Sequence, residues 1–166
     1  LTAAIYGFEG TALTEAEKRF FAEQNPYGYI LFARNCESPD QLKRLVESLY
    51  QLSKRSVLPI LIDQEGGRVA RLKPPHWPSY PPAKVFADVA CQDMEKAKEA
   101  TYLNARLIAA DLASMGITVN CAPLADLPVK GAHDIIGDRA FGTECKQVVA
   151  LARSQAQGLM DGGVVP

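Results

Sequence analysis

The stretch Pro59-Ile60-Leu61-Ile62-Asp63-Gln64-Glu65-Gly66-Gly67-Arg68 changes abruptly from an apolar run to acidic residues and glycines. The apolar residues 57–62 predict a fully buried strand, because strands of a parallel sheet are covered on both faces. Asp63 then stands at the carboxyl end of that strand. The paired glycines allow a sharp turn with positive φ directly after it. Asp63 is therefore placed on a loop that a buried strand positions.

Similar units of strand and helix occur on both sides of this stretch. Short apolar runs alternate with longer segments of helical period, a pattern that predicts βα units around a parallel sheet. We count about four and a half units, the last of which begins at Val164. The other predicted strands cover 3–7, 28–32 and 117–119. The predicted helices cover 15–24 with Thr14 as N-cap, a segment from Pro39 whose apolar face is Leu42, Leu45, Val46, Leu49 and Leu52, and residues 94–114 and 144–160.

Two long segments between these elements are predicted to be loops. Residues 66–84 are rich in Gly and Pro, and the second loop runs from the fourth strand to about Thr143. Loops of this length inside a compact domain are usually functional. The chain has 166 residues, which can bury a core as one domain but fall below the roughly 250 of a closed eight-fold α/β barrel. The domain is therefore either small or incomplete.

Composition excludes several classes of partner. Hydrophobic residues make up 48% and charged residues 22%, as in a soluble globular chain. The net charge of −1 and the absence of a basic block argue against nucleic acid, and no apolar run is long enough to cross a membrane. Cys36, Cys91, Cys121 and Cys145 form no CxxC pair and are interpreted as reduced thiols rather than zinc ligands. The start Leu1-Thr2-Ala3 shows no signal segment, which weakly favours the cytoplasm.

In a parallel α/β barrel, the loops after the strands line one face and form the site. The polar residues in those loops are therefore the candidates: Arg34, Asn35, Asp63, Glu65, Arg68, Arg71, Asn120, Asp126, His133, Asp138 and Arg139. Arg68 is expected to brace its loop, Trp77 to pack in its loop, and His133 to lie at the rim. Asp126 could either support the site or cap a turn.

The carboxylates of Asp63 and Glu65 fit more than one task. They could be the acid and base of a glycosidase, although a retaining enzyme needs its carboxyl groups about 5 to 5.5 Å apart on opposite sides of the bond. They could hold a divalent metal, but no P-loop or EF-hand pattern is present. They could accept hydrogen bonds from sugar hydroxyls beside arginines that donate. Finally, they could pair with Arg68 or Arg71 and only brace the loop.

The sequence I-D-Q-E-G-G-R-V-A-R at 62–71 resembles the motif of family-3 glycoside hydrolases, especially bacterial β-N-acetylglucosaminidases of peptidoglycan recycling. Residues 29–35, 120–126 and 136–141 resemble other segments of that family in the same order. The resemblance implies an α/β fold of the (β/α)8 TIM-type barrel, with only about the first four to five βα units in this chain. Residues 1–166 would be the N-terminal part of a single glycoside hydrolase domain, truncated.

The resemblance also implies site residues and an activity. Asp63 would bind hydroxyls of the non-reducing N-acetylglucosamine, with Arg71 and Arg139 as further substrate contacts. The implied enzyme removes terminal non-reducing β-N-acetylglucosamine from muropeptide-type substrates by a retaining mechanism. The family's Lys-His strand end, Pro-Gly-His-Gly loop and nucleophilic Asp would follow residue 166. We therefore expect no catalytic residue in this chain, and no metal or other cofactor.

Two alternatives stay open. The protein could be a family-3 β-glucosidase, in which a second domain usually supplies the acid and base residue. It could instead be a non-catalytic sugar-binding module that ends near residue 166, but such a half-barrel would expose a sheet edge. The expected partner is an N-acetylglucosamine-containing saccharide, with no nucleic acid and no membrane, and a cytoplasmic monomer is expected.

Overall fold

The computed structural model describes residues 1–53, 55–129, 131 and 133–166. Its sheet has the order β1-β2-β3-β4, and each neighbouring pair is parallel. The strands are β1 (Thr2–Tyr6), β2 (Pro26–Leu31), β3 (Ile60–Ile62) and β4 (Val119–Asn120). The helices are α1 (Glu15–Gln24), α2 (Pro39–Ser53), α3 (Ala83–Ala90), α4 (Met94–Ser114) and α5 (Cys145–Asp161), with short 3-10 helices at Ala33–Asn35 and Gly137–Arg139. The predicted α/β fold with a parallel sheet is confirmed.

The sheet continues into the last residues of the chain. Val165 forms a parallel bridge with Val119, in which the Val165 amide donates to the Thr118 carbonyl at 2.9 Å. The Asn120 amide donates to the Val165 carbonyl at 2.9 Å. The apolar run predicted to begin another strand at Val164 therefore pairs next to β4, in the position of a fifth parallel strand.

Local signals explain the start and the buried face of the first two helices. Thr14 and Glu17 form a reciprocal capping box at the start of α1, because each side chain accepts a hydrogen bond from the other residue's backbone N–H. The predicted apolar face of α2 is buried against the sheet at Leu42, Leu45, Val46 and Leu49. An apolar stripe of this kind is what attaches a helix to a sheet.

The structure corrects the prediction at α3. The loop was expected to extend to residue 84, and no helix was expected before residue 94, but α3 covers Ala83–Ala90. The proline-rich segment hides this helix, since Pro82 is its extended N-cap residue and does not interrupt it. Strand β3 is also shorter than expected, and it begins after Pro59, which has no N–H to donate.

The core has two parts. The larger cluster packs α1, α2 and α4 against the sheet, and includes the fully buried Leu31, Ile60 and Ile62. A smaller cluster joins α3, α4 and α5 around Phe86, Phe141 and Leu151. None of the helices within the described residues is long and apolar enough to span a lipid bilayer. The second cluster bears on the site because Phe141 lies two residues after Arg139.

Helices α4 and α5 approach closely at Gly158. A Cβ atom there would lie 2.5 Å from the Tyr102 carbonyl oxygen and 2.7 Å from the Ala105 Cβ, so the two helices would have to separate.

We expect Gly158→Ala to lower the free energy of unfolding by about 1–3 kcal/mol despite the better helix propensity of Ala. Urea unfolding of the full-length protein would measure this. The matched control is Gly10→Ala, because the nearest atom to that Cβ is 3.6 Å away; an equal loss in both variants would contradict the prediction.

Candidate active site

Asp63 stands at the carboxyl end of β3 and is paired with an arginine of its own loop. The Arg71 Nη2 atom donates to Asp63 Oδ2 at 2.6 Å. About a quarter of each side chain is exposed, 24% for Asp63 and 25% for Arg71. The pair is therefore partly shielded from water but reachable from one side. The second oxygen of Asp63 is not used by Arg71, and a carboxylate has acceptor capacity for several donors.

Gln64 lies between the two acidic residues and points into the protein. It is 2% exposed, and the Asn120 side chain, at the end of β4, is fully buried beside it. The backbone N–H of Gln64 donates to Asn120 Oδ1 at 3.0 Å, and Asn120 Nδ2 donates to the backbone carbonyl of Gln64 at 3.0 Å. These two bonds tie the ends of β3 and β4 together.

The Gln64 side chain also determines the return of the loop. Its Oε1 accepts from the backbone N–H groups of Arg71 at 2.8 Å and Leu72 at 3.0 Å. Its Nε2 donates to the Leu72 carbonyl at 3.0 Å. Arg71 is thereby brought back beside Asp63 across eight residues of chain. Both polar atoms of the Gln64 side chain thus hold the loop.

The turn requires the two glycines. Gly66 and Gly67 have φ values of 101° and 57°, in the left-handed region that other residues rarely adopt. The Gly67 amide donates to the Tyr80 carbonyl at 2.8 Å, and the Tyr80 hydroxyl donates to Asp111 Oδ2 on α4 at 2.6 Å. Burial and the Asp111 carboxylate both raise the pKa of Tyr80, so the hydroxyl stays protonated. The predicted long loop is therefore anchored to α4.

Glu65 is held by a residue from the second loop. Arg139 Nε donates to Glu65 Oε2 at 2.9 Å, and Arg139 Nη2 donates to Glu65 Oε1 at 2.7 Å. These side chains are only 12% exposed for Glu65 and 20% for Arg139. The Glu65 carboxylate raises the pKa of Arg139 through this hydrogen bond and its charge. Because both oxygens of Glu65 face Arg139, Glu65 is poorly arranged to act as an acid or base on a substrate.

Arg68 bridges the same two loops nearer the surface. Its Nε donates to Asp138 Oδ1 at 2.8 Å, and its Nη2 donates to the Ile135 carbonyl at 2.6 Å. The bracing role expected for Arg68 agrees with these contacts, although its partners come from the second loop and not from its own. Positions 130 and 132 of that loop lie outside the described residues.

The other sequence candidates are more dispersed. Asn35 is buried and donates to the carbonyls of Phe8 and Gly10, while Arg34 donates to Phe8 and lies 4.7 Å from the Phe32 ring centroid. These residues hold the loop after β1. Trp77 packs in the larger core cluster, as expected of loop packing. His133 and Asp126 are exposed, and the charge of Asp126 contributes to the raised pKa of Arg139.

Two cysteines adjoin the site. Burial, followed by the charge of Asp63 and a hydrogen bond with it, raises the pKa of the Cys121 thiol. Burial raises the pKa of Cys36 to about 12, partly offset by the charge of Arg71. Because the pKa of each thiol is raised, both thiols are protonated near neutral pH.

Within 1–53, 55–129, 131 and 133–166, no group of three or more His, Cys, Asp or Glu side chains could hold a metal ion.

Sequence reasoning missed the roles of Gln64 and Asn120 and the pairing of Glu65 with Arg139. A signal for Gln64 was available, because alternation along extended backbone places Gln64 opposite to Asp63 and Glu65. The structure does bring Asp63, Arg71, Glu65 and Arg139 to the carboxyl edge of the sheet. Their roles toward a ligand stay predictions.

The model of the glycosyl hydrolase family 3 N-terminal domain matches residues 7–166. The chain belongs to glycosyl hydrolase family 3. It is 37% identical over 160 residues to a protein from Alkalilimnicola ehrlichii named Beta-hexosaminidase, covering 96% of this chain and 45% of that protein. A Beta-hexosaminidase from Methylobacillus flagellatus is also 37% identical, with 44% of it covered. The chain thus spans less than half of these family-3 relatives.

Solved structures of family 3 agree with the fold. The structure of NagZ from Neisseria gonorrhoeae in complex with N-trifluoroacetyl-D-glucosamine superimposes with a TM-score of 0.90 at 31% identity, covering 98% of this chain and 47% of that one. A family-3 β-N-acetylglucosaminidase from Paenibacillus sp. str. FPU-7 gives a TM-score of 0.81 at 29% identity, with 96% and 30% covered. The family and the expected barrel-type architecture are thereby confirmed.

The buried amide pair can be tested by Asn120→Ala in the full-length protein. This change removes the Asn120 partners of the backbone N–H and backbone carbonyl of Gln64. It also creates a cavity between the ends of β3 and β4. We expect a loss of about 2–4 kcal/mol in the free energy of unfolding, since each orphaned buried group costs roughly 1–3 kcal/mol. Urea unfolding would measure it. The control is Asn104→Ala on α4, for which a change below about 0.5 kcal/mol is expected; equal losses would refute the role of Asn120.

The position of Cys121 beside Asp63 can be tested by alkylation. Asp63→Asn removes a negative charge that raises the pKa of Cys121, so more thiolate is present at a given pH. We expect the pH profile for alkylation of Cys121 by iodoacetamide to shift to lower pH, as measured by peptide mass spectrometry. The exposed Cys145 in the same sample serves as the internal control. A profile that stays unchanged would show that the two groups do not interact.

Proposed function

We propose that the full-length protein is a retaining β-N-acetylhexosaminidase that removes terminal non-reducing β-N-acetylglucosamine. In this proposal residues 1–166 form the N-terminal part of one (β/α)8 barrel domain. Asp63, Arg71 and Arg139 bind the non-reducing sugar. The residues that break the glycosidic bond lie outside this chain. The observation that carries the proposal is the meeting of Asp63, Arg71 and the Glu65–Arg139 pair at the carboxyl edge of the sheet.

The chemistry of these groups suits a neutral sugar. A carboxylate accepts hydrogen bonds from hydroxyl groups, and a guanidinium donates them in a fixed plane. Asp63 retains acceptor capacity next to Arg71, which is 2.6 Å away. The positive charges of Arg71 and Arg139 are balanced by Asp63 and Glu65, so the site has no surplus charge to select an anionic ligand. A saccharide hydroxyl array therefore fits better than a phosphate.

The relatives support the choice of sugar. The matched proteins named Beta-hexosaminidase cover nearly all of this chain at 35–37% identity. The similar NagZ structure holds N-trifluoroacetyl-D-glucosamine, a derivative of glucosamine acylated on nitrogen. We extend this binding of an N-acylated amino sugar to the present protein. We also propose that its substrates are cell-wall muropeptide fragments, that it acts in the cytoplasm as a monomer in peptidoglycan recycling, and that it uses no cofactor.

The proposed division of labour follows from the resemblance to family 3. In this proposal an Asp nucleophile elsewhere in the full-length protein forms the glycosyl-enzyme, and a His supported by an Asp acts as acid and base. The present residues contribute by holding the sugar ring so that its anomeric carbon faces that nucleophile. Such positioning can supply a large part of a rate enhancement without a proton transfer.

Asp63→Ala in the full-length protein tests the proposed binding role. The change removes hydroxyl contacts and leaves Arg71 unpaired, so we expect kcat/KM for a chromogenic β-N-acetylglucosaminide to fall at least about 100-fold. Initial rates over a range of substrate concentrations give this value. The matched control is Asp88→Ala, which removes an exposed carboxylate of α3 that pairs with Lys84 on the surface.

The same assay distinguishes the alternatives. If the wild-type protein hydrolysed the β-glucoside faster than the N-acetylglucosaminide, the hexosaminidase proposal would be wrong and the β-glucosidase would replace it. Binding of N-acetylglucosamine without hydrolysis of either substrate would point to a sugar-binding protein. An activity equal to wild type for Asp63→Ala would remove Asp63 from the site.

A further inference from the structure

Two ion pairs join the β3 loop to the second 3-10 helix in reciprocal order. Glu65 of the β3 loop pairs with Arg139, and Arg68 of the same loop pairs with Asp138. Each loop therefore provides one acidic and one basic residue. A one-residue shift of the second loop in one direction would place Glu65 against Asp138, and a shift in the other direction would place Arg68 against Arg139. Each is a like-charge contact. The charge order thus selects one alignment of the two loops.

The two ion pairs differ in their exposure to water and in their hydrogen-bond geometry. The side chains of Arg68 and Asp138 are 48% and 39% exposed, so water weakens their attraction. The side chains of Glu65 and Arg139 are 12% and 20% exposed, and two parallel hydrogen bonds fix both the position and the plane of the guanidinium. The inner pair is therefore the one that sets the orientation of Arg139.

Glu65 is itself on a rigid support. Its amide donates to the Val69 carbonyl at 2.9 Å, next to the Gln64 amide that Asn120 holds. Arg139, by contrast, belongs to a long segment that the sheet does not include, and its backbone is anchored by Phe141 in the smaller core cluster. The carboxylate on the rigid loop therefore positions the arginine on the other loop.

We propose that Glu65 is a positioning residue that aims Arg139 at the substrate, without contacting the substrate itself. The inference rests on the function proposed above, in which Arg139 binds the non-reducing sugar. Glu65 occupies one N–H of Nε and one of Nη2. The other Nη2 hydrogen and both Nη1 hydrogens are not used by Glu65 and are oriented by this pairing. Glu65 thus determines sugar binding through the plane of the Arg139 side chain.

A double-mutant cycle in the full-length protein tests this role. The variants are Glu65→Gln, Arg139→Ala and the combination of both, assayed for KM and kcat on a chromogenic β-N-acetylglucosaminide. Glu65→Gln keeps the shape but presents an NH2 group to one guanidinium nitrogen. We expect it to raise KM about tenfold with kcat changed less than about threefold. In the Arg139→Ala background, the same change should alter KM less than about twofold, because the arginine to be positioned is absent.

Controls separate positioning from general stability. Glu15→Gln makes the same chemical change on an exposed glutamate of α1 that pairs with Lys18, and it should leave KM and kcat within about twofold of wild type. Thermal unfolding of every variant shows whether the fold is retained. If Glu65→Gln does not fold, Glu65→Asp replaces it in the same cycle, with a smaller rise in KM expected since the charge is kept.

The change in KM with and without Arg139 decides whether Glu65 positions this arginine. A rise in KM that is present with Arg139 and absent without it supports the inference. An equal rise in both backgrounds, or no rise in the wild-type background, overturns it while the hexosaminidase proposal stands. If the wild-type protein hydrolyses no N-acetylglucosaminide, the proposed function fails and the inference fails with it.

Discussion

The buried hydrogen bonds between Gln64 and Asn120 are the constraint on which the site depends. They join the carboxyl ends of β3 and β4, and both groups are removed from water. A buried amide left without a partner is costly, so the strand ends have little freedom to separate. The alternation of extended backbone then directs Asp63 and Glu65 away from the core. One internal residue thereby aims its two charged neighbours at the site.

The arrangement of charge follows from these Gln64–Asn120 hydrogen bonds in two steps. The Gln64 side chain accepts a hydrogen bond from the backbone N–H of Arg71, which places the Arg71 side chain beside Asp63. Glu65 reaches across to Arg139 on the other loop. The site is therefore built from two ion pairs, one within a loop and one between loops. Such a balanced array donates and accepts hydrogen bonds without attracting ions over long range, which suits a neutral saccharide.

The fold supplies the common edge on which these loops meet. Strands β1 to β4 are parallel and adjacent in chain order, so every loop that follows a strand emerges on the same side. The bridge from Val119 to Val165 continues that order. Membership of glycosyl hydrolase family 3 rests on a match over residues 7–166. The chain spans 44–46% of the length of these curated relatives.

The amino-acid sequence by itself determined the order of the strands and of four of the five helices in the described residues. It also determined the parallel α/β class, the helix start at Thr14 and the place of Asp63 at a strand end. These depend on local periodicity, caps and glycines, which act over a few residues. The helix Ala83–Ala90 was missed because prolines before it masked its start. Only the tertiary structure decided which arginine holds which carboxylate. Glu65 and Arg139 are separated by 74 positions, and no local pattern encodes a contact that depends on how two loops meet across a sheet edge.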